Sequence, residues 1–151
     1  RLIRGWELAG GLCDDTTPPP KVSFAPERLP DPLTGPRPHI VLHPFSAIAE
    51  REAAPETFVA IVNAFSETHD IYLSAGPHDL ERAPQHHALA SMADVKIDQS
   101  DMRSKAALMR GAALVVTVDT SVMHLAVGVS GPTLCLDCAA DVVGADAARW
   151  W

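Results

Sequence analysis

Short runs of consecutive apolar residues alternate along this chain with longer stretches in which apolar positions recur every three or four residues. The runs are HIVLHP (His39 to Pro44), IYLSA (Ile71 to Ala75), a brief one over Asp94 to Ile97, LVVTV (Leu114 to Val118) and Pro132 to Leu136. Most are rich in β-branched residues and bounded by Gly, Pro or Asp, the pattern of parallel strands covered on both faces. Between the first two, Pro55 opens a helix at the first-turn position that proline tolerates, and Phe58, Ile61, Val62 and Phe65 give it an apolar stripe. Asp79 to Ala90 predicts a weaker helix in which Pro84 marks a break or an early turn. Met102 to Gly111 predicts a third, apolar at Ala106, Leu108 and Met109 and ended by its glycine. Ser121 to Val129 predicts a fourth. Strands alternating with helices imply βαβ units and a parallel sheet, hence an α/β fold of the Rossmann-like three-layer sandwich type.

The two ends break this rhythm. Arg1 to Gly11 reads as the end of a helix, with Leu2, Ile3, Trp6 and Leu8 apolar and two glycines as a stop. From Cys13 to Pro38 lie most of the thirteen prolines, which exclude a long regular element and leave room for one short edge strand at Val22 to Phe24. Residues 1–38 therefore read as a proline-rich linker and the remnant of a preceding domain, and residues 39–151 as the Rossmann-like domain. The tail from Asp141 predicts a helix ending in Trp150 and Trp151. The chain starts at Arg1 rather than Met, which reads as a piece of a longer protein.

With 151 residues, 47% of them hydrophobic and 21% charged, the chain has the composition of one soluble globular domain with a core. A net charge of -7 argues against nonspecific binding to nucleic acid or anionic membrane, but not against a small phosphorylated ligand. No apolar run approaches the ~20 residues that span a bilayer, and the N-terminus lacks the order of a secretory signal. Three cysteines, an odd number, fit a reducing, cytoplasmic setting better than a disulfide framework. Cys135 and Cys138 are spaced C-x-x-C, yet they follow a strand rather than open a helix, and no second Cys/His pair with zinc-like spacing accompanies them. Cys135 reads more simply as a small core residue. No metal and no cofactor is implied. The glycine fingerprints of dinucleotide and P-loop sites are absent as well.

Candidate chemistry concentrates in Leu114 to Leu136. The buried run stops at Asp119-Thr120-Ser121, and a helix begins. Either Asp119 or Thr120 can cap it, while the amides of its first turn stay available to an anion at the carboxyl end of a strand, where open α/β sheets bind ligands. His124 falls one turn further on, so its imidazole can face the same mouth. The same turn would also serve a helix cap with no ligand at all, and a lone helical histidine is usually a surface residue. Local sequence does not separate these readings.

The order PHIVLHPFSAIAEREAAPETF, IYLSAGPHD and MRSKAALMRGAALVVTVDTSVMHLAVGVSGPTLCL resembles the C-terminal domain of family 9 glycosyltransferases, the group containing ADP-heptose:lipopolysaccharide heptosyltransferases. The resemblance runs from about Pro38 to Leu136. Its most specific part is VDTSVMHLAVGVSGPT, similar to the family's Asp-Ser/Thr-x-x-x-His-Leu-Ala…Gly-x-Pro-Thr signature. It implies one half of a GT-B architecture, the half that holds a nucleotide-diphosphate sugar such as ADP-heptose. It further implies an inverting, metal-independent transfer in bacterial surface-glycan (lipopolysaccharide) synthesis. By position, Asp119, Thr120, Ser121, Met123 and His124 would meet the donor, together with Ser46 at a hydroxyl position, Arg51 at the family's lysine position and His78 in the loop near the nucleoside.

Three positions depart from the pattern. Phe45 replaces a Gly or Ala and would narrow the pocket, Arg51 replaces the lysine, and Ala53 replaces a tryptophan. Arg51, flanked by Glu50 and Glu52, reads equally as a solvated loop cation. In the family the general base is a carboxylate of the N-terminal acceptor domain, which this chain lacks, so none of its residues is expected to be catalytic. The rival reading is a degenerate module that binds a partner and transfers nothing. A flavodoxin-like regulatory domain would be preferred if the Asp119 turn were occluded. His86 and His87 read as surface histidines.

Overall fold

In a computed structural model of the chain, residues 35–136 are described. The expected N-terminal helix end, the linker with its edge strand and the tryptophan-tipped tail lie outside them. The described part is built on five strands, β1 (His39–His43), β2 (Asp70–Ser74), β3 (Val95–Asp98), β4 (Leu114–Val118) and β5 (Thr133–Leu136). They form one sheet in the order β3-β2-β1-β4-β5, every neighbouring pair parallel. The strand order turns back between β1 and β4, the place where the carboxyl edge of an open sheet opens into a crevice.

Period-2 alternation sends side chains to both faces, and both are covered. Ile40 and Leu42 of β1, Ile71 and Leu73 of β2, and Val116 and Val118 of β4 pack with Phe58 and Val62 of α1 (Pro55–Phe65) and with Leu89. Val41 of β1 and Val115 of β4 face the other way, onto Ala106 and Met109 of α4 (Met102–Gly111) and Leu125 and Ala126 of α5 (Ser121–Gly128). Two such layers on one sheet are the three-layer α/β sandwich read from the sequence. Each large apolar side chain so enclosed contributes roughly 1.5–3 kcal/mol.

The structure corrects several local expectations. The segment from Asp79 to Ala90 is not one helix: it is α2 (Asp79–Arg82), a 3-10 turn at Pro84–His86 and α3 (His87–Ala90). Pro84 sits at the start of the turn, where its missing N–H costs nothing. His86 is no surface histidine. It is wholly buried, edge-on to Phe45 and Phe58, while His87 stays exposed and donates to the carbonyl of Leu80. Cys135 is only half-buried, because β5 is an edge strand. The loop after β1 contains a 3-10 turn, Ala49–Arg51, and Phe45, 1% exposed, packs into the core while also lining the cavity at the sheet's carboxyl edge.

Candidate active site

The carboxyl ends of β1, β2 and β4 and the start of α4 enclose a pocket of about 400 Å³, within the range of small-molecule sites. The loop after β1 gives it Ser46 and Arg51, the segment after β2 gives Gly76, Asp79 and Arg82, and α4 gives Lys105. Asp119, Thr120 and Ser121 close the fourth side. These residues meet because the sheet reverses its order there, which sets the loops after β1 and β4 side by side.

Arg51 crosses that gap. Its Nη1 lies 3.2 Å from Oδ2 of Asp119, so its partner is neither Glu50 nor Glu52. Both side chains keep about a quarter to a third of their exposure (24% and 31%), and an ion pair so placed adds ~1 kcal/mol at most. Its consequence is positional: a guanidinium is held beside the first turn of α5. Thr120 occupies the N-cap position of that helix but its side chain caps nothing, and its Oγ1 is buried without a hydrogen-bond partner. Asp119 does not cap either, since its carboxylate turns to Arg51. The first-turn amides, which no intrahelical carbonyl can reach, therefore have no side-chain cap. Cation, orphan hydroxyl and helix start together suit an anion.

The far side of the pocket is polar and internally paired. Lys105 is 8% exposed, and its ammonium donates to Ser74 Oγ (3.1 Å), to the carbonyls of Ala75 and Asp98 (3.0 Å each) and to Asp98 Oδ2 (3.3 Å). It thereby ties the ends of β2 and β3 to α4. Asp79 accepts from the Gly76 N–H (2.6 Å) and from Arg82 (2.7 Å). His43 is buried at the end of β1, and its Nδ1–H donates to the Ser74 carbonyl at 2.8 Å, which fixes the tautomer. Burial pushes its pKa below the ordinary 6.5, against the opposing pull of that hydrogen bond. Among the described residues, no group of three or more His, Cys, Asp or Glu could hold a metal ion.

Of the residues singled out in the sequence, Ser46, Arg51, Asp119, Thr120 and Ser121 share this pocket. Met123 is 1% exposed and does not line the pocket. His124 lies on the exposed surface of α5, outside the lining, and His78 is exposed beside Glu81, 3.4 Å away. Sequence reading missed Lys105 and His43. The lysine had a signal, for it stands three and four residues before Leu108 and Met109 and so shares their buried stripe. His43 had none, because a histidine ending a strand looks the same whether it faces a pocket or solvent.

The sequence matches the model of glycosyltransferase family 9 (heptosyltransferase) over residues 19–141. Among curated proteins none matches significantly. The fold is similar to E. coli heptosyltransferase WaaC with ADP-2-deoxy-2-fluoro heptose, at a TM-score of 0.59 and 23% identity, covering 73% of this chain and 34% of that one. It is similar also to the family 9 glycosyl transferase from Veillonella parvula (TM-score 0.57, 24% identity, 68% and 30% covered). E. coli ADP-heptose lps heptosyltransferase II aligns at a TM-score of 0.55 with 17% identity, covering 70% and 34%. This chain spans about a third of the length of these solved structures. The family match takes in every strand of the sheet and every loop around the pocket, and the chain belongs to glycosyltransferase family 9.

Proposed function

We propose that this chain is the donor-binding domain of an inverting, metal-independent glycosyltransferase that uses a nucleotide-diphosphate sugar in the cytoplasm, for bacterial surface-glycan synthesis. Residues 39–151 form the donor domain, and residues 1–38 link it to an acceptor domain. The observation that carries the reading is the Arg51–Asp119 bridge, which sets a cation against an uncapped helix start at the pocket mouth. The diphosphate lies between Arg51, the hydroxyls of Ser46, Thr120 and Ser121, and the first-turn amides of α5. In the transfer, an acceptor hydroxyl attacks the anomeric carbon as the bond to the diphosphate oxygen breaks. Its proton passes to a base of the acceptor domain, and Arg51 with the amides takes up the leaving charge where a divalent cation would otherwise serve. His124 and His78 contribute less, and only at the sugar and nucleoside ends.

Calorimetric titration with ADP, UDP, GDP and their sugar conjugates, without metal, tests this. The E. coli relative solved with ADP-2-deoxy-2-fluoro heptose makes ADP-heptose the first conjugate to try. One nucleotide should bind saturably. Arg51→Ala should weaken it at least tenfold, the loss of charge-assisted bonds worth about 1.5–3 kcal/mol, and so should the pair Asp119→Ala with His124→Ala, chiefly by releasing Arg51 from the start of α5. Unchanged affinity in these variants removes the site assignment. No binding at millimolar ligand, with the acceptor domain present, leaves the degenerate interaction module.

A further inference from the structure

Behind the pocket, the loop from Pro44 to Ala54 is held by a carboxylate that does not line the cavity. Glu52 Oε1 accepts the backbone N–H of Ser46 at 3.2 Å. Its Oε2 accepts from Nε2 of Gln85 and lies 3.4 Å from Nε2 of His86. The carboxylate is 9% exposed, and the His86 ring beyond it is fixed edge-on between Phe45 and Phe58, centroids 5.4 and 6.3 Å away. Glu52 N–H also donates to the Ala49 carbonyl at 3.0 Å, closing the 3-10 turn that Arg51 ends. Adjacent side chains thus diverge: Arg51 reaches forward to Asp119, and Glu52 reaches back to the turn at Pro84–His86.

We propose that Glu52 is a positioning residue of the donor site, one that clamps both ends of the loop after β1 and so aims the Arg51 guanidinium at the start of α5. The function rests on the donor reading above; the aiming of Arg51 does not. Without the carboxylate, the Ser46 N–H loses its acceptor and the 3-10 turn loses its tether to the neighbouring segment, so Arg51 swings on an unanchored loop. A buried anion one residue from the phosphate-binding cation would repel the donor if it faced the pocket. Here its charge is turned to the Ser46 amide and Gln85, on the other side of the loop.

The test compares Glu52→Ala and Glu52→Gln with the unaltered chain by two readouts. The first is NMR hydrogen exchange of the Arg51 Nη protons, which face Asp119, and of the Ser46 amide. The second is the affinity for ADP, UDP and GDP beside that for adenosine, uridine and guanosine. In Glu52→Ala both signals should exchange at least tenfold faster, and diphosphate affinity should fall at least tenfold while nucleoside affinity holds. Glu52→Gln keeps an oxygen for the Ser46 amide and should recover most of both. Equal loss of nucleoside and diphosphate binding indicates general loosening and overturns the proposal, as does unchanged Arg51 exchange in folded Glu52→Ala. If Arg51 loosens while the unaltered chain binds none of the nucleotides, the positioning stands and the donor reading falls. If Glu52→Ala does not fold, Gln85→Ala removes one anchor and should shift both readouts in the same direction by about threefold; no shift there overturns the proposal.

Discussion

The exit from α5 turns on two residues that sequence alone would treat as interchangeable. Ser130 has φ of 62°, the left-handed region that side chains enter at a cost of roughly 1–2 kcal/mol. Gly131 follows, and a Cβ added to it would stand 2.7 Å from the carbonyl oxygen of Met109, at the end of α4. Its own N–H donates to the Ala126 carbonyl (2.9 Å), so the chain cannot move away from the contact without losing that bond. The two neighbouring swaps should therefore differ in sign. Gly131→Ala is expected to destabilise by about 1–3 kcal/mol through overpacking against backbone. Ser130→Gly should leave stability unchanged or raise it by up to ~1 kcal/mol, relieved strain being partly offset by glycine's greater freedom when unfolded. Urea unfolding of both variants decides it, and a Gly131→Ala midpoint equal to that of the unaltered chain would disprove the close contact. At this scale the sequence says least. Nothing in GVSGPT tells which residue takes the left-handed angle, and nothing in QHH tells that His86 is buried and His87 is not, because both depend on atoms brought from elsewhere in the chain.

Elements were far more legible. The β-branched runs and the period-3.6 stripe of α1 place all five strands, and three of the four helices predicted within the described residues, within about a residue of their observed ends, because covering a sheet on both faces leaves a pattern that few other folds need. What the pattern does not carry is the capping of α5. An Asp-Thr pair at a strand-to-helix turn predicts a side-chain cap, yet Asp119 is drawn off by Arg51, a residue 68 positions earlier in the chain, and Thr120 Oγ1 is left buried and unpartnered. Helix α5 thus carries an unmet hydroxyl at the pocket wall, and Thr120→Val, which removes it at nearly constant volume, separates stability from binding. An unpaired buried hydroxyl costs roughly 1–3 kcal/mol, so the variant should unfold at the same or higher urea concentration. Under the proposed function, nucleotide-diphosphate affinity should fall several-fold at the same time, the loss of one hydrogen bond worth about 1 kcal/mol. A variant both less stable and unchanged in binding would mean that Thr120 is a cap after all.

For the molecule as a whole, the two buried histidines on the pocket side of the sheet set how stability depends on pH. His43 at the end of β1 and His86 at the core edge of the turn after α2 both have pKa values pushed below 6.5, in each case first by burial; the nearby carboxylate of Glu52 pulls that of His86 partway back. A histidine with a lowered folded-state pKa is neutral in the fold when it would already be protonated in the unfolded chain. The unfolded state therefore binds more protons at acidic pH, and stability rises with pH across that window. Above about pH 7.5 neither state is protonated and the histidines exert no pull. As pH falls through 6.5 the unfolded chain begins to charge, and each histidine withdraws stability at up to ~1.4 kcal/mol per pH unit until its own folded pKa is reached. Two such groups together should lower the unfolding free energy between pH 7.5 and 5.5, by at most ~3 kcal/mol where both rings stay neutral in the fold, a range above the ordinary carboxylate pKa values, so acidic groups contribute little to the slope. Urea titrations at the two pH values measure it. His86→Phe, which keeps an aromatic ring between Phe45 and Phe58, should roughly halve the slope if both histidines share it, whereas a flat profile in the unaltered chain would mean that water reaches both rings and that the sheet edge behind the pocket is open.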